Sequence, residues 1–138
     1  MAGFAGSKEG LPGGSAVRDR TIPDGKDILI PVFNTACAEV TDAALIKDAL
    51  GLDEDEEIQP SQLKEGLISC TDLLLSFVDD LHFSIDGQTL EKEDFDKFRV
   101  VSPQFQIVYP EGNVFGQSPT NVKQMAVAEG YWVLVEDL

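Results

Sequence analysis

Gly130-Tyr131-Trp132-Val133-Leu134-Val135-Glu136 is the stretch on which the fold turns. Read as an extended strand with side chains alternating between faces, it is apolar on both sides. Tyr131, Val133 and Val135 point one way, Trp132 and Leu134 the other. A strand of that kind belongs inside a sheet covered on both faces. It needs a neighbour on each side, and only two residues follow it. One neighbour is therefore expected from earlier in the chain or from another molecule.

Upstream, residues 98–109 read as a long extended run. In its second half Phe105, Ile107 and Tyr109 face opposite to Gln104 and Gln106, and Pro103 marks a break or bulge within it. Turn chemistry follows at Pro110-Glu111-Gly112-Asn113, and Ser118-Pro119-Thr120-Asn121 reads as a polar loop. Leu81, Phe83 and Ile85 alternate with His82, Ser84 and Asp86, which predicts a strand with one apolar face. Asp86-Gly87 then closes a tight hairpin onto residues 88–90, and residues 91–97 read as a charged connection.

Between residues 41 and 79 the period becomes helical. Thr41 is a good N-cap for a helix over 42–50, with Gly51 as its stop. A second helix opens near Gln59-Pro60-Ser61, where Leu63, Leu67, Cys70, Leu74 and Phe77 recur at three- and four-residue steps. Before the helices, Ile22-Pro23-Asp24-Gly25 is a turn leading into the strand Asp27-Ile28-Leu29-Ile30-Pro31-Val32-Phe33. Pro31 places that strand at an edge or bulge, because it cannot donate to a ladder. Residues 1–19, Gly-rich around Pro12, show no apolar period and read as a flexible lead-in.

The fold class predicted from these patterns is mainly β, of α+β type. It is an antiparallel β-sandwich over residues 20–138, a single domain, with a two-helix insertion at about 41–79 after the first strand. Its expected core is Ile30, Phe33, Leu67, Leu74, Phe83, Ile85, Phe105, Ile107, Val133 and Val135.

Charge narrows the partners. The chain has 25 acidic residues against 10 Lys plus Arg, a net charge of -15, which repels nucleic-acid phosphates and favours solubility. No apolar run approaches the roughly 20 residues of a membrane-spanning helix. The first residues lack the basic and apolar regions of a signal peptide. Cys37 and Cys70 with the single His82 are too few for a structural zinc site, and composition leaves the cysteines open between a disulfide and two buried thiols.

Three stretches together resemble a known family. They are Arg20-Thr21-Ile22-Pro23-Asp24-Gly25-Lys26 running into Ile30-Pro31-Val32-Phe33-Asn34, Arg99-Val100-Val101-Ser102-Pro103-Gln104-Phe105 running into Tyr109-Pro110-Glu111-Gly112-Asn113-Val114-Phe115-Gly116, and Glu129-Gly130-Tyr131-Trp132-Val133-Leu134. The family is an uncharacterised one of mostly bacterial, secreted, β-sandwich-like proteins. Its domains carry an "IPAGKAIFFPIIN" strand, a "VDG" hairpin, an "RVxSPxFxFxLPExNxFG" segment and a "DGYWVxLxPL" strand, and no reaction is established for it. The resemblance implies a disulfide between Cys37 and Cys70, and secretion. This chain departs from it in lacking the usual "PGEHTIHFGG" strand and the upstream tryptophan-rich segment, which leaves a short paralogue, a fragment and a piece that assembles as the alternatives.

Candidate chemistry is sparse. A serine-type triad would need His82 as its base, yet His82 lies on the polar side of its strand. Glu111 and Glu129, with Asp94, are the carboxylates to weigh for glycoside hydrolysis, since the first two flank aromatic residues that can stack on sugars. Among 25 acidic residues such pairs also arise by chance. Asp53, Asp55 and Glu57 alternate like the first ligands of a calcium loop, but the sixth-position Gly and twelfth-position Glu are missing, so a solvated acidic loop is the plainer reading. Gly112 and Gly116 do not make a phosphate loop, and no cofactor is expected. Tyr131 and Trp132 face opposite sides of a strand, so one is expected in the core and the other on a binding surface with Tyr109 or Phe115.

The function expected from the sequence is a non-enzymatic interaction or structural module that binds another protein, a glycan or its own copies through exposed strand edges and aromatic surface. The alternatives are a carboxylate-dependent hydrolase or lyase, and a glycan- or calcium-binding module.

Overall fold

The computed structural model describes residues 2–7, 15–16, 21–113 and 116–136. In chain order the elements are β1 (Ala2–Ser7), β2 (Ser15–Ala16), β3 (Ile28–Ala38), α1 (Ala43–Leu50), α2 (Leu63–Ser76), β4 (Val78–Ile85), β5 (Gln88–Leu90) and α3 (Lys92–Phe95). A single 3-10 turn (Asp96–Phe98) follows, then β6 (Arg99–Val101), β7 (Phe105–Ile107) and β8 (Gln124–Val135). One sheet has the order β2-β1-β4-β5. The other has the order β3-β8-β6, with β7 also paired to β8. The class is α+β with antiparallel pairing, and the helix pair α1–α2 follows the strand that contains Ile30, as the periodicity predicts.

β1 and β2 occupy what the sequence presents as a lead-in. β1 runs antiparallel to β4, with Ala2 opposite Phe83, Phe4 opposite Leu81 and Ser7 opposite Val78. A Gly- and Ala-rich strand shows no side-chain period; backbone donors and acceptors supplied by β4 are enough to place it. On the other side of β4 the hairpin forms as expected. Asp86 (φ 47°) and Gly87 (φ 79°) both lie in the left-handed region, as a two-residue primed turn requires, and Ile85 pairs with Gln88.

The chain divides into two compact units, each drawing on β3 and β8. The first comprises Met1–Asn34, Leu74–Val100 and Gly130–Leu138. Its core is Val32, Leu81, Phe83, Phe95 and Val133, so side chains of both sheets meet in one cluster. Ile30, Phe33, Ile85, Tyr131 and Val135 pack against it, half-buried. Phe95 comes from the stretch expected to be a charged connection. There residues 92–98 instead form α3 and the 3-10 turn, because tucking in Phe95 coils the chain around it. The edge-on stacking of Phe95 with Tyr131, ring centroids 5.8 Å apart, fixes which of the aromatic pair Tyr131 and Trp132 joins the core cluster.

Gly130 is held where β3 and β8 press together. A Cβ built on it would stand 2.6 Å from both Cα and Cβ of Asn34 and would meet the Phe33 carbonyl oxygen as well. These are mainly backbone atoms, which cannot step aside as a side-chain tip can.

The second unit comprises Thr35–Leu73 and Val101–Glu129. Cys37, Ala38, Ile46, Leu67, Cys70, Ala126 and Val127 are its buried apolar residues. Of the expected core, Leu67 is fully buried, Ile107 is only half-buried and Phe105 is exposed, while Leu74, also half-buried, belongs to the first unit. Cys37 of β3 and Cys70 of α2 form a disulfide, with their Cα atoms 6.2 Å apart. Helix α1 comes so close to α2 that a Cβ on Gly66 would lie 2.7 Å from Ile46 Cγ2 and 2.8 Å from Leu50 Cδ1.

α1 begins one residue later than predicted, with Asp42 rather than Thr41 as N-cap. Neither side chain caps the helix: the Asp42 carboxylate turns back to accept the Ala38 N–H at 2.7 Å, and Thr41 is engaged with Gln124. The helix ends as expected at Gly51 (φ 68°), where the Leu52 N–H returns to the Lys47 carbonyl at 2.9 Å.

Two measurements test this packing. Replacing Gly130 with Ala is expected to lower the unfolding midpoint more than Gly66→Ala does, because Ile46 and Leu50 can repack and the β3 backbone cannot; equal losses in thermal melts would refute the contact. Cys37→Ser with Cys70→Ser is expected to cost roughly 3 to 4 kcal/mol in denaturant unfolding. Reductant should reproduce the loss in the native protein and have no effect on the double variant.

Candidate functional site

Glu129 and Glu111 lie in quite different surroundings. Glu129 points into the second unit, 1% exposed, and its Oε2 accepts the Thr71 hydroxyl at 2.8 Å, so α2 is tied to β8 by a buried polar contact. Glu111 is exposed on the turn after β7. Two carboxyls acting on one glycosidic bond must both open onto the substrate cleft. A carboxyl as enclosed as Glu129 opens onto none.

The expected aromatic surface is distributed similarly. Tyr131 and Trp132 are half-buried in the first unit, and Tyr109 is half-buried in the second. Phe115 lies outside the described residues. Tyr109 pins the base of the polar loop: its N–H donates to Thr120 Oγ1 at 3.2 Å and its carbonyl accepts the Thr120 N–H at 2.9 Å. Farther along, Asn113 Nδ2 donates to the carbonyls of Pro110 and Gln117 at 3.0 and 2.8 Å. The loop is thus folded on its own polar groups.

The acidic block Asp53, Asp55 and Glu57 is exposed, and the Asp53 N–H donates to Glu56 Oε2 at 2.7 Å. Among the described residues no three acidic, Cys or His side chains gather as metal ligands would. His82 is half-buried on β4. No helix of the described residues is long and apolar enough to cross a membrane.

The sequence reading did not single out a row of exposed apolar side chains beside β8. Pro103 breaks the strand that would otherwise join β6 to β7. Across the gap the Ser102 N–H donates to the Ala128 carbonyl at 2.8 Å, and Ser102 Oγ accepts the Ala128 N–H at 3.0 Å. The serine hydroxyl thus takes over for a ladder acceptor, and pairing continues through Phe105 opposite Ala126 to Ile107 opposite Gln124. Along this line stand Val101, 42% exposed, Phe105 at 38%, Val108 at 44%, and Val122 at 66% two residues before β8. Along the sequence they lie in a stretch of low charge, although Glu39 reaches it at the Met125 N–H and the charge of Asp42 reaches Tyr109. Residues 101–128 contain one carboxylate, Glu111, and one cation, Lys123. The rest holds the other 24 acidic and 9 basic residues and the whole of the -15.

No family model, curated protein or solved structure matches the chain. The reading of the site therefore stands on its own residues.

Behind the row, Gln124 locks the end of β8. Only 1% exposed, it accepts the N–H groups of Val40 and Thr41 on Oε1 at 2.9 and 3.0 Å and donates through Nε2 to Thr41 Oγ1 at 3.1 Å. Beside it, burial raises the Asp42 carboxyl above its ordinary value of 3.8, opposed by the smaller effect of the Ala38 N–H. Tyr109 is raised as well, first by burial and then by the negative charge of Asp42.

The sign of this linkage follows. Native Asp42 holds its proton more tightly than the unfolded chain does, so no penalty exists below the unfolded value, and the penalty is complete once pH exceeds the raised native value. Asp42→Asn keeps an acceptor for Ala38 and is expected to gain stability over the native protein as pH rises through that window. Asp42→Ala leaves the Ala38 N–H without its acceptor and is expected to cost about 1 kcal/mol at acid pH, a loss that shrinks as pH rises because this variant too escapes the ionisation penalty. Urea melts at acid and neutral pH measure both, and a pH-independent difference between the Asn variant and the native protein would exclude the burial effect.

Proposed function

We propose that this protein is a non-enzymatic interaction module, a β-sandwich whose second unit presents the row Val101, Phe105, Val108 and Val122 to another polypeptide. The observation that carries this reading is the exposure of Val101, Phe105, Val108 and Val122 within a stretch, residues 101–128, that holds only one carboxylate and one cation of a strongly acidic chain. Exposed apolar side chains gathered on one sheet edge, as on β6, on β7 and beside the start of β8, would mark an interaction surface, while isolated ones need no explanation. The neutrality matters because desolvating carboxylates at the centre of an interface is costly, and interface cores are depleted of charge.

Two further features support the reading. The buried Cys37–Cys70 disulfide suits an oxidising compartment, in keeping with the secretion implied by the family resemblance. Both outer positions of the second sheet carry a proline, Pro31 in β3 and Pro103 between β6 and β7, which blunts strand addition there. The contact is therefore made by side chains rather than by a continuous backbone ladder.

Panning a random peptide library against the folded protein tests the proposal. Enriched peptides are expected to lose binding to the double variant Phe105→Glu, Val122→Glu, whose unfolding free energy should stay within about 0.5 kcal/mol of the native value because neither side chain is enclosed. Equal binding to the variant, or no enrichment, would remove the reading.

A further inference from the structure

We infer that the Cys37–Cys70 disulfide is a redox lock on the second unit alone: a dithiol that reduces it opens the second unit and leaves the first folded.

The two units are held by different means. The first is closed by Val32, Leu81, Phe83, Phe95 and Val133, with further aliphatic and aromatic side chains packed against them, and it contains no cysteine. In the second, the buried apolar residues are Ile46, Leu67 and Val127, two alanines, and the two cysteines themselves. The same unit encloses Thr71, Gln124 and Glu129, whose hydrogen bonds return little more than the cost of taking polar groups out of water. Three full-sized aliphatic side chains are little to set against the entropy of ordering a unit of this length. The disulfide supplies what the apolar core lacks. It joins β3 to α2 across a sequence separation of 33 residues that includes α1, and so removes the freedom of that loop from the opened state. Reduction gives that freedom back.

Burial decides how the lock is worked. Both cysteines are 0% exposed, and thiol–disulfide exchange requires a thiolate to reach one sulfur directly. The closed unit shields the bond, so attack follows local opening. One thiolate of the dithiol then bonds to a cysteine sulfur, and the other cysteine leaves as a thiolate and takes up a proton. The second thiol of the dithiol displaces the remaining cysteine as its own ring disulfide closes. The protein gains two electrons and two protons, and the dithiol loses them. The second unit is therefore closed in an oxidising compartment and open in a reducing one.

Hydrogen–deuterium exchange read by mass spectrometry tests this on the full chain, oxidised, held in dithiothreitol, and as the double variant Cys37→Ala, Cys70→Ala. In the reduced protein and in the variant, amides of residues 35–73 and 101–129 are expected to lose protection by about 100-fold. Peptides that cover Leu81, Phe83 and Val133 should keep theirs within about threefold of the oxidised protein. The rate at which a fixed dithiol concentration releases two thiols gives a second readout. Ile46→Ala, which hollows the second unit, should raise that rate by more than about tenfold, and Val133→Ala, which hollows the first, should leave it within about twofold. Where Ile46→Ala does not fold, Ile46→Val is expected to act in the same direction by a few-fold. Loss of protection throughout both units on reduction would make the disulfide a clamp on the whole fold. Unchanged protection in protein whose mass shows two free thiols would make it a passive cross-link, and equal acceleration by the Ile46 and Val133 variants would place reduction after global unfolding. Each of these overturns the inference. Peptide binding enters none of the readouts, so the interaction reading stands or falls separately.

Discussion

Backbone donors and acceptors taken out of water have to be satisfied by neighbouring strands, and β8 is a twelve-residue strand buried along much of its length, though Leu134, expected to be covered, is 50% exposed. Its partners are β3 on one side and the interrupted β6–β7 line on the other, all from the same chain. The local devices of the second sheet serve this requirement. Gly130 gives up its side chain where β3 lies closest, Ser102 lends its hydroxyl where Pro103 breaks the ladder, and Gln124 satisfies the Val40 and Thr41 N–H groups at the strand's end. Of the two sources the sequence leaves open for a neighbour of β8, earlier chain or another molecule, earlier chain supplies it on both sides.

The buried polar groups of the second unit are consistent with this. Glu129 with Thr71, and Gln124 with the 40–41 turn, are side chains taken almost wholly out of water, and each has a hydrogen-bonding partner there. Such contacts penalise alternative arrangements more than they favour the native one, because an unpaired buried carboxylate or amide costs more than its hydrogen bond returns. Together with the disulfide they explain how a unit with few large apolar side chains holds one arrangement.

The distribution of charge works on a longer scale. Acidic residues crowd the segments that carry helices and turns, and residues 101–128 are left neutral. On the interaction reading proposed above, the net charge disfavours indiscriminate association while the exposed valines and phenylalanine remain open to contact.

Much of the fold was legible along the chain. The alternation of Leu81, Phe83 and Ile85, the Asp86-Gly87 turn, the helix ending at Gly51 and the double-sided strand around Val133 are local patterns with local physical causes, and each was found where its period predicts. The resemblance to a secreted family pointed to the Cys37–Cys70 pair, which composition alone left open. The site was much less legible. Phe105 alternates as a core residue would and is exposed, Glu129 reads as a surface carboxylate and is buried, and Phe95 sits among charges yet lies at the centre of a core. The pairing of β1 with β4 carries no side-chain period at all. In each case the deciding quantity is what lies across from the residue, and that neighbour is distant in sequence. The sequence by itself determined the periodic strands and helices, the turns and the charge asymmetry, because those depend on neighbours within a few residues; only the tertiary structure decided β1, β2, α3 and which faces are covered, because these depend on elements brought together from far along the chain.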